Sequence, residues 1–296
     1  MRILLTGVNG QLGSELQGTL APVGEVIAVG RDRLDLSQPD QIPAVVEAIQ
    51  PDLIVNCAAY TAVDKAETEA ELAHTVNAIA PGTLAKTAAN LGATLLHIST
   101  DYVFDGTQSR PYLETDTTNP IGQYGKTKFA GEMAILQTGF PHIILRTAWV
   151  YGVGGTGNFV KTMLRLGQER PELRVVADQV GTPSWTGDIA EAIAQIARQH
   201  PDLEGTYHFT NSGVASWYDF AVAIFEEAAA LGFPLQVKRV VPITTAEYPT
   251  PAQRPAYSVL CGKKLEAILN KPAPHWRRGL RQMLTGLQAS VTSSRR

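Results

Sequence analysis

Thr6-Gly7-Val8-Asn9-Gly10-Gln11-Leu12-Gly13 stands directly after an apolar strand, Arg2–Thr6, and opens a helical stretch, Gln11–Leu20. Glycines at 7, 10 and 13 let a chain turn sharply and bring backbone N–H groups to a pyrophosphate at a helix N-terminus. A glycine triplet alone is weak evidence, and a strand–helix turn with no ligand is the bland reading. Here the following text decides for a dinucleotide site. Apolar runs at Glu25–Gly30, Leu53–Asn56, Thr94–Ser99 and His142–Arg146 alternate with helical stretches, and a further run lies at Gly205–Thr210. These runs are nearly continuous in Ile, Leu and Val, as strands covered by helices on both faces are. The expectation is an α/β fold: a doubly wound, Rossmann-like parallel sheet.

Helices are expected at Gln38–Gln50, with Pro39 in its first turn, and at Glu69–Gly92, kinked or broken near Pro81. Others are expected from Tyr124 to Gln137, over Asp188–Gln199, at Trp217–Leu231 and at Lys263–Leu269. After Tyr151 the chain turns rich in Gly, Pro and Thr. Residues 1–150 are therefore read as a dinucleotide-binding domain to which segments near 186–211 return. Residues 151–185 and 212–286 form a smaller, interleaved substrate-binding domain, and 287–296 a frayed tail.

The 296 residues carry 25 Lys and Arg against 28 Asp and Glu, a net charge of −3, with no basic stripe. Nucleic acid is not an expected partner. No apolar run approaches the roughly 18 residues that span a bilayer, and the first strand begins at once, so neither membrane nor signal peptide is expected. Two distant cysteines, Cys57 and Cys261, make no disulfide framework. The location expected is the cytoplasm.

The Gly-x-x-Gly-x-x-Gly spacing resembles the extended short-chain dehydrogenase/reductase superfamily. That resemblance implies a catalytic Tyr-x-x-x-Lys, and Tyr124 and Lys128 supply it, one helical turn apart. Thr100 follows the fourth strand, at the sheet end where ligands gather. Hydride delivery to a ketone leaves negative charge on oxygen, which needs a positioned proton donor. Tyr124 is the expected general acid. An ammonium at Lys128 is expected to lower its pKa and, by the resemblance, to hold the nicotinamide ribose. Thr100 is expected to hydrogen-bond the carbonyl oxygen. Further cofactor contacts are implied at Gly7, Gly10, Gln11, Leu12, Gly13, Asp35, Leu36, Ala58, Ala59, Tyr60, Thr61 and Ser99, and at Tyr124 itself. Arg31, after the second strand, suits a 2′-phosphate, so NADPH is the expected cofactor; neighbouring Asp32 keeps NADH open.

Longer strings resemble one family, the dTDP-4-dehydrorhamnose reductases. Asn56–Glu67, Ile98–Gly106, Pro120–Lys128, Arg146–Gly152, Asn158-Phe159-Val160 and Asp178–Pro183 occur in the family's order. The resemblance runs from Met1 to about Leu284. It implies a sugar site lined by Val63, Thr100, Asp101, Tyr102 and Trp149, where Trp149 offers an apolar face to a deoxy sugar, although packing in a core would also use it. It implies that Arg254, in Arg-Pro-Ala-Tyr-Ser-Val-Leu, meets the substrate diphosphate. Tyr257 departs from the family's asparagine. No metal site is assigned: the six histidines are scattered, and Glu15 and Glu191 read as solvated. The implied reaction is reduction of the 4-keto group of dTDP-4-dehydro-6-deoxy-L-mannose to dTDP-L-rhamnose by a monomer or homodimer. Alternatives are another dTDP-4-keto-6-deoxyhexose, the opposite C4 configuration, an epimerase, or a non-catalytic cofactor-binding regulatory subunit.

Overall fold

The computed structural model describes residues 1–293, with side chains through 289. Its centre is a six-stranded parallel sheet. In chain order the first five strands are β1 (Arg2–Thr6), β2 (Glu25–Val29), β3 (Leu53–Asn56), β4 (Thr94–Thr100) and β5 (His142–Thr147). The spatial order is Gly205–His208, β5, β4, β3, β1, β2. All pairs are parallel; Leu4 sits between Ile27 and Ile54 in register.

Successive side chains on a strand point to opposite faces, and both faces of this sheet are buried. Ile3 and Leu5 join Leu16, Val55, Leu145, Ile189 and Ile193 on one side. Leu4 joins Val46, Ile54, Leu84, Ile135 and Ile144 on the other. The first layer is made by α1 (Gln11–Leu20) and the helix Thr186–Gln199, the second by α2 (Ile42–Ile49), α4 (Ala80–Leu91) and α5 (Gln123–Leu136). This double burial explains why the strands read as unbroken apolar runs. The chain leaves β1 for β2 on one side and returns to β3 on the other. The crevice at the C-terminal ends of β1 and β3 is therefore the topological switch point, where such sheets take ligands.

Several expected elements shift. The helix expected from Gln38 is a 3₁₀ turn, Pro39–Gln41, followed by α2. Pro43 removes an N–H at the point where one continuous helix would need it. The long helix expected over Glu69–Gly92 stays helical from Ala70 to Leu91, and its irregularity falls ahead of Pro81. A short α3 (Ala70–His74) runs into a π turn, Thr75–Ile79, and Pro81 lies in the first turn of α4, where its missing N–H costs least. Asn77 in that π turn accepts from the Tyr60 amide at 2.8 Å and donates to Tyr60 O and Thr127 Oγ1. It thereby ties the loop after β3 to α5. The last strand of the sheet ends at His208, two residues short of expectation.

Beyond Tyr151, the helices Phe159–Glu169, Trp217–Ala230 and Trp276–Ser293 pack around a cluster containing Val160, Phe220, Ile224, Leu280 and Met283. The parallel pair Glu172–Val176 and Arg239–Ile243 flanks it. Asn158 caps the first of these helices, and Ser216 and Asp219 form a capping box on the second. The segment read as a frayed tail is instead the last turns of the third, as far as Ser293; residues 294–296 lie outside the described residues.

Candidate active site

Gly7 adopts φ +71°, and a Cβ there would sit 2.6 Å from the amide nitrogen of Ala58. Only glycine tolerates both demands, so the loop can press its backbone against the end of β3. Gly10 donates to Gly7 O at 2.9 Å, closing the turn. Gly13 serves the loop from beneath. A Cβ on it would fall 2.2 Å from Gly7 O, so its part is close packing of α1, and it does not line the cleft.

That loop forms one wall of a cleft of about 830 Å³, a size typical of ligand pockets. Gly7, Gly10, Gln11 and Leu12 line it beside Arg31, Asp35 and Leu36 from the end of β2. Arg31 is largely exposed and lies 4.0 Å from Asp35. The Asp35 carboxylate accepts from the Ser37 amide, which is the main reason its pKa is lowered. Ala58, Ala59, Thr61 and Val63 enter from the loop after β3, and Ser99, Thr100, Asp101 and Tyr102 from the end of β4. Tyr124, Lys128 and Trp149 complete the set.

Two more expected residues, like Gly13, lie off the cleft lining. Tyr60 turns its hydroxyl to Glu69 at 2.6 Å, while its backbone is held by Asn77. Arg254 makes a two-pronged ion pair with Asp64, both prongs 3.0 Å, and donates to Thr250 and Ala252. Ser99 does line the cleft, but its hydroxyl donates to the buried Glu132.

At the reacting end, Thr100 Oγ1 donates to Asp101 at 3.0 Å and accepts from the Tyr102 amide. Burial pushes the Asp101 carboxyl up to about 6 and the Tyr124 phenol up to about 12. A hydrogen bond with Thr100 pulls the Tyr124 value down, and the Asp101 charge pushes it further up. The expectation that Lys128 lowers it needs correction for this arrangement. Lys128 Nζ donates to Ile98 O at 2.7 Å and faces His97 Nε2 at 3.0 Å. Burial lowers the Lys128 pKa to about 8, so the ammonium is less favoured there than on an ordinary lysine.

Sequence reasoning missed Trp217, which lines the cleft from the start of a remote helix. Its ring stacks on Trp149 with centroids 3.5 Å apart and planes within 4°. Trp149 holds φ +46°, a strained position for a large side chain. Nothing local in the sequence foretells this pair. Gly155, Thr156 and Gly157 also reach the cleft, on the glycine-rich stretch noted above. Lys161 holds their loop by donating to the carbonyls of Val153, Gly154 and Gly155. Among the described residues no group of three or more His, Cys, Asp or Glu gathers as a metal site, and no helix is long and apolar enough to cross a membrane.

A doubly wound sheet with a glycine-built loop at its switch point, and with Thr100, Tyr124 and Lys128 in the same cleft, defines the class: a Rossmann-like fold of the extended short-chain dehydrogenase/reductase kind. Residues 1–289 match the family described as RmlD substrate binding domain, and the chain belongs to that family. A dTDP-4-dehydrorhamnose reductase of Burkholderia thailandensis is 46% identical over 286 residues, 94% of this chain and 96% of the relative. The crystal structure of such a reductase from Clostridium acetobutylicum superposes with a TM-score of 0.90 at 43% identity, over 97% of this chain and 100% of that one. One from Bacillus anthracis, solved in complex with NADP, has a TM-score of 0.90 at 40% identity, over 96% of this chain and 99% of that one.

Proposed function

We propose that this chain reduces the 4-keto group of dTDP-4-dehydro-6-deoxy-L-mannose to give dTDP-L-rhamnose, using NADPH. The observation that carries the reading is the meeting of Thr100, Tyr124 and Lys128 in one cleft with the Gly7–Leu12 loop. The names of the B. thailandensis and C. acetobutylicum relatives, and the NADP of the B. anthracis structure, support the same substrate and cofactor.

The glycine loop would take the pyrophosphate on its backbone amides and the N-terminus of α1. Arg31 would meet the 2′-phosphate and Asp35 and Leu36 the adenosine side. Bound NADPH supplies a hydride to C4 of the sugar. Tyr124 donates its phenolic proton to the oxygen that becomes the hydroxyl, so that one hydride and one proton complete the reduction. Thr100 bonds the same oxygen and orients it, and Lys128 orients the cofactor ribose. The elevated Tyr124 pKa keeps the phenol protonated, as a donor must be. Val63, Asp101, Tyr102 and Trp149 would line the sugar site, and Arg254 would turn from Asp64 to the substrate diphosphate.

Residues 1–150 with 186–211 would bind the cofactor, and 151–185 with 212–286 the sugar nucleotide, in a monomer or homodimer. Both cysteines are free, which agrees with a reducing, cytoplasmic setting. The test is NADPH oxidation, followed at 340 nm, with the 4-keto sugar nucleotide generated in situ, and NMR of the product for its C4 configuration. No oxidation despite cofactor binding overturns the reading and favours a binding-only role. Sugar conversion without net NADPH loss favours an epimerase.

A further inference from the structure

Behind Lys128 lies a buried chain of polar groups whose donors and acceptors can be assigned one by one. The Ala58 amide N–H can only donate, and it points at Asn56 Oδ1 from 3.2 Å. The Thr6 hydroxyl donates to the same oxygen at 2.7 Å. The Asn56 amide is thereby oriented, and its Nδ2 donates to His97 Nδ1 at 3.0 Å. Nδ1 must accept, so the proton of a neutral His97 imidazole is on Nε2. Nε2–H faces Lys128 Nζ at 3.0 Å. An ammonium has three donors and no acceptor, whereas a neutral amine has a lone pair to receive this hydrogen. The amine also keeps an N–H for Ile98 O at 2.7 Å.

We propose that Asn56 and His97 are positioning residues that oppose the charging of Lys128 and shift it toward the neutral amine in the free protein. Charging Lys128 then requires His97 to move its proton to Nδ1, which sets that N–H against the Asn56 amide donor. Asn56, His97 and Lys128 are all buried, so water cannot relieve the clash. The other titratable groups facing Lys128 are Cys57, from the loop after β3, and Glu132, one turn further along α5. Tyr124 precedes it by one turn. Glu132 is committed to Arg146, so its charge is shared before it reaches Lys128. The downward shift of Lys128 through burial, and of His97 through burial and then the Lys128 charge, run the same way.

The inference deepens the reading above, since it concerns the lysine assigned there to the cofactor ribose. Its test needs no substrate. In full-length protein labelled with ¹⁵N-histidine, His97 (assigned by its loss in His97→Gln) should show Nε2 protonated and Nδ1 bare at pH values above the Lys128 midpoint. In protein labelled with ¹³Cε-lysine, Lys128 should titrate below the other lysines. In His97→Gln an amide oxygen can turn to Nζ, and the midpoint should rise by about one unit or more. A protonated Nδ1 in the wild type above the Lys128 midpoint, or an unchanged Lys128 midpoint in folded His97→Gln, overturns the proposal. If His97→Gln does not fold, the wild-type tautomer still decides, with His97 assigned through its contact with Asn56. A failed NADPH assay with the predicted tautomer would count against the reductase reading alone.

Discussion

Glu132 and Arg146 join α5 to β5 immediately behind Ser99, Thr100 and Lys128, and replacing Glu132 with Gln should unsettle both stability and the site. Their side chains are 1% and 6% exposed, with Nη2 and Oε2 2.6 Å apart and further bonds of 2.9 and 3.2 Å from Nε. Arg146 also lies 5.2 Å over the Phe104 ring and beside His208. Glu132→Gln keeps the shape but leaves a guanidinium desolvated and uncompensated. Breaking a pair this buried costs about 3–5 kcal/mol, whereas removing both charges costs much less. For a chain of this size the single substitution should lower Tm by on the order of 10 °C. Urea unfolding and thermal melts on the wild type, Glu132→Gln and Glu132→Gln/Arg146→Met measure it, and the double variant should recover most of the loss. A loss below about 1 kcal/mol in the single variant would refute the account of this pair as a desolvated charge network.

Three further outcomes follow from the same geometry. Gly7→Ala should abolish measurable NADPH binding in a fluorescence titration, because the new methyl meets Ala58 N and the φ is left-handed; unaltered affinity would contradict the loop's role. Arg31→Ala should raise KM for NADPH about tenfold and leave KM for NADH nearly unchanged; equal effects on both would remove Arg31 from cofactor choice. Asp101 titrates at about 6 when folded, above the ordinary carboxyl value, so its neutral form is favoured by folding and its contribution grows as pH falls through 6. Asp101→Asn should therefore gain stability on the wild type as pH rises from 4 to 8, by about 2 kcal/mol. A pH-independent difference between the two would refute that shift.

Legibility in the sequence followed the distance over which each feature is decided. The strands could be read because burial on both faces leaves an apolar run, and the glycine loop because its demands fall within a few residues of one another. The Tyr124–Lys128 pair needed only helical periodicity. Features set by residues far apart could not be read. Asp64, the partner that draws Arg254 off the cleft, is 190 positions away. Trp217 meets Trp149 only because a separate helix cluster packs against the segment that follows β5. Gly13 shows a subtler limit: the motif marks it correctly as obligatory, yet its obligation is to the packing of α1. Pro81 reads as a kink or break, whereas the backbone stays helical and absorbs it in the preceding π turn, where Asn77 gains a use in pinning Tyr60.

The most direct measurement is NADPH oxidation at 340 nm by the wild type and Tyr124→Phe, side by side, with the 4-keto sugar nucleotide supplied in situ. The phenyl ring retains the packing against Tyr102, centroids 5.4 Å apart, and removes only the proton donor. The account predicts turnover by the wild type, a fall of about 100-fold or more in kcat for the variant, and retained NADPH binding. Comparable kcat in both proteins would contradict it, because the proton would then reach the sugar oxygen from some other group.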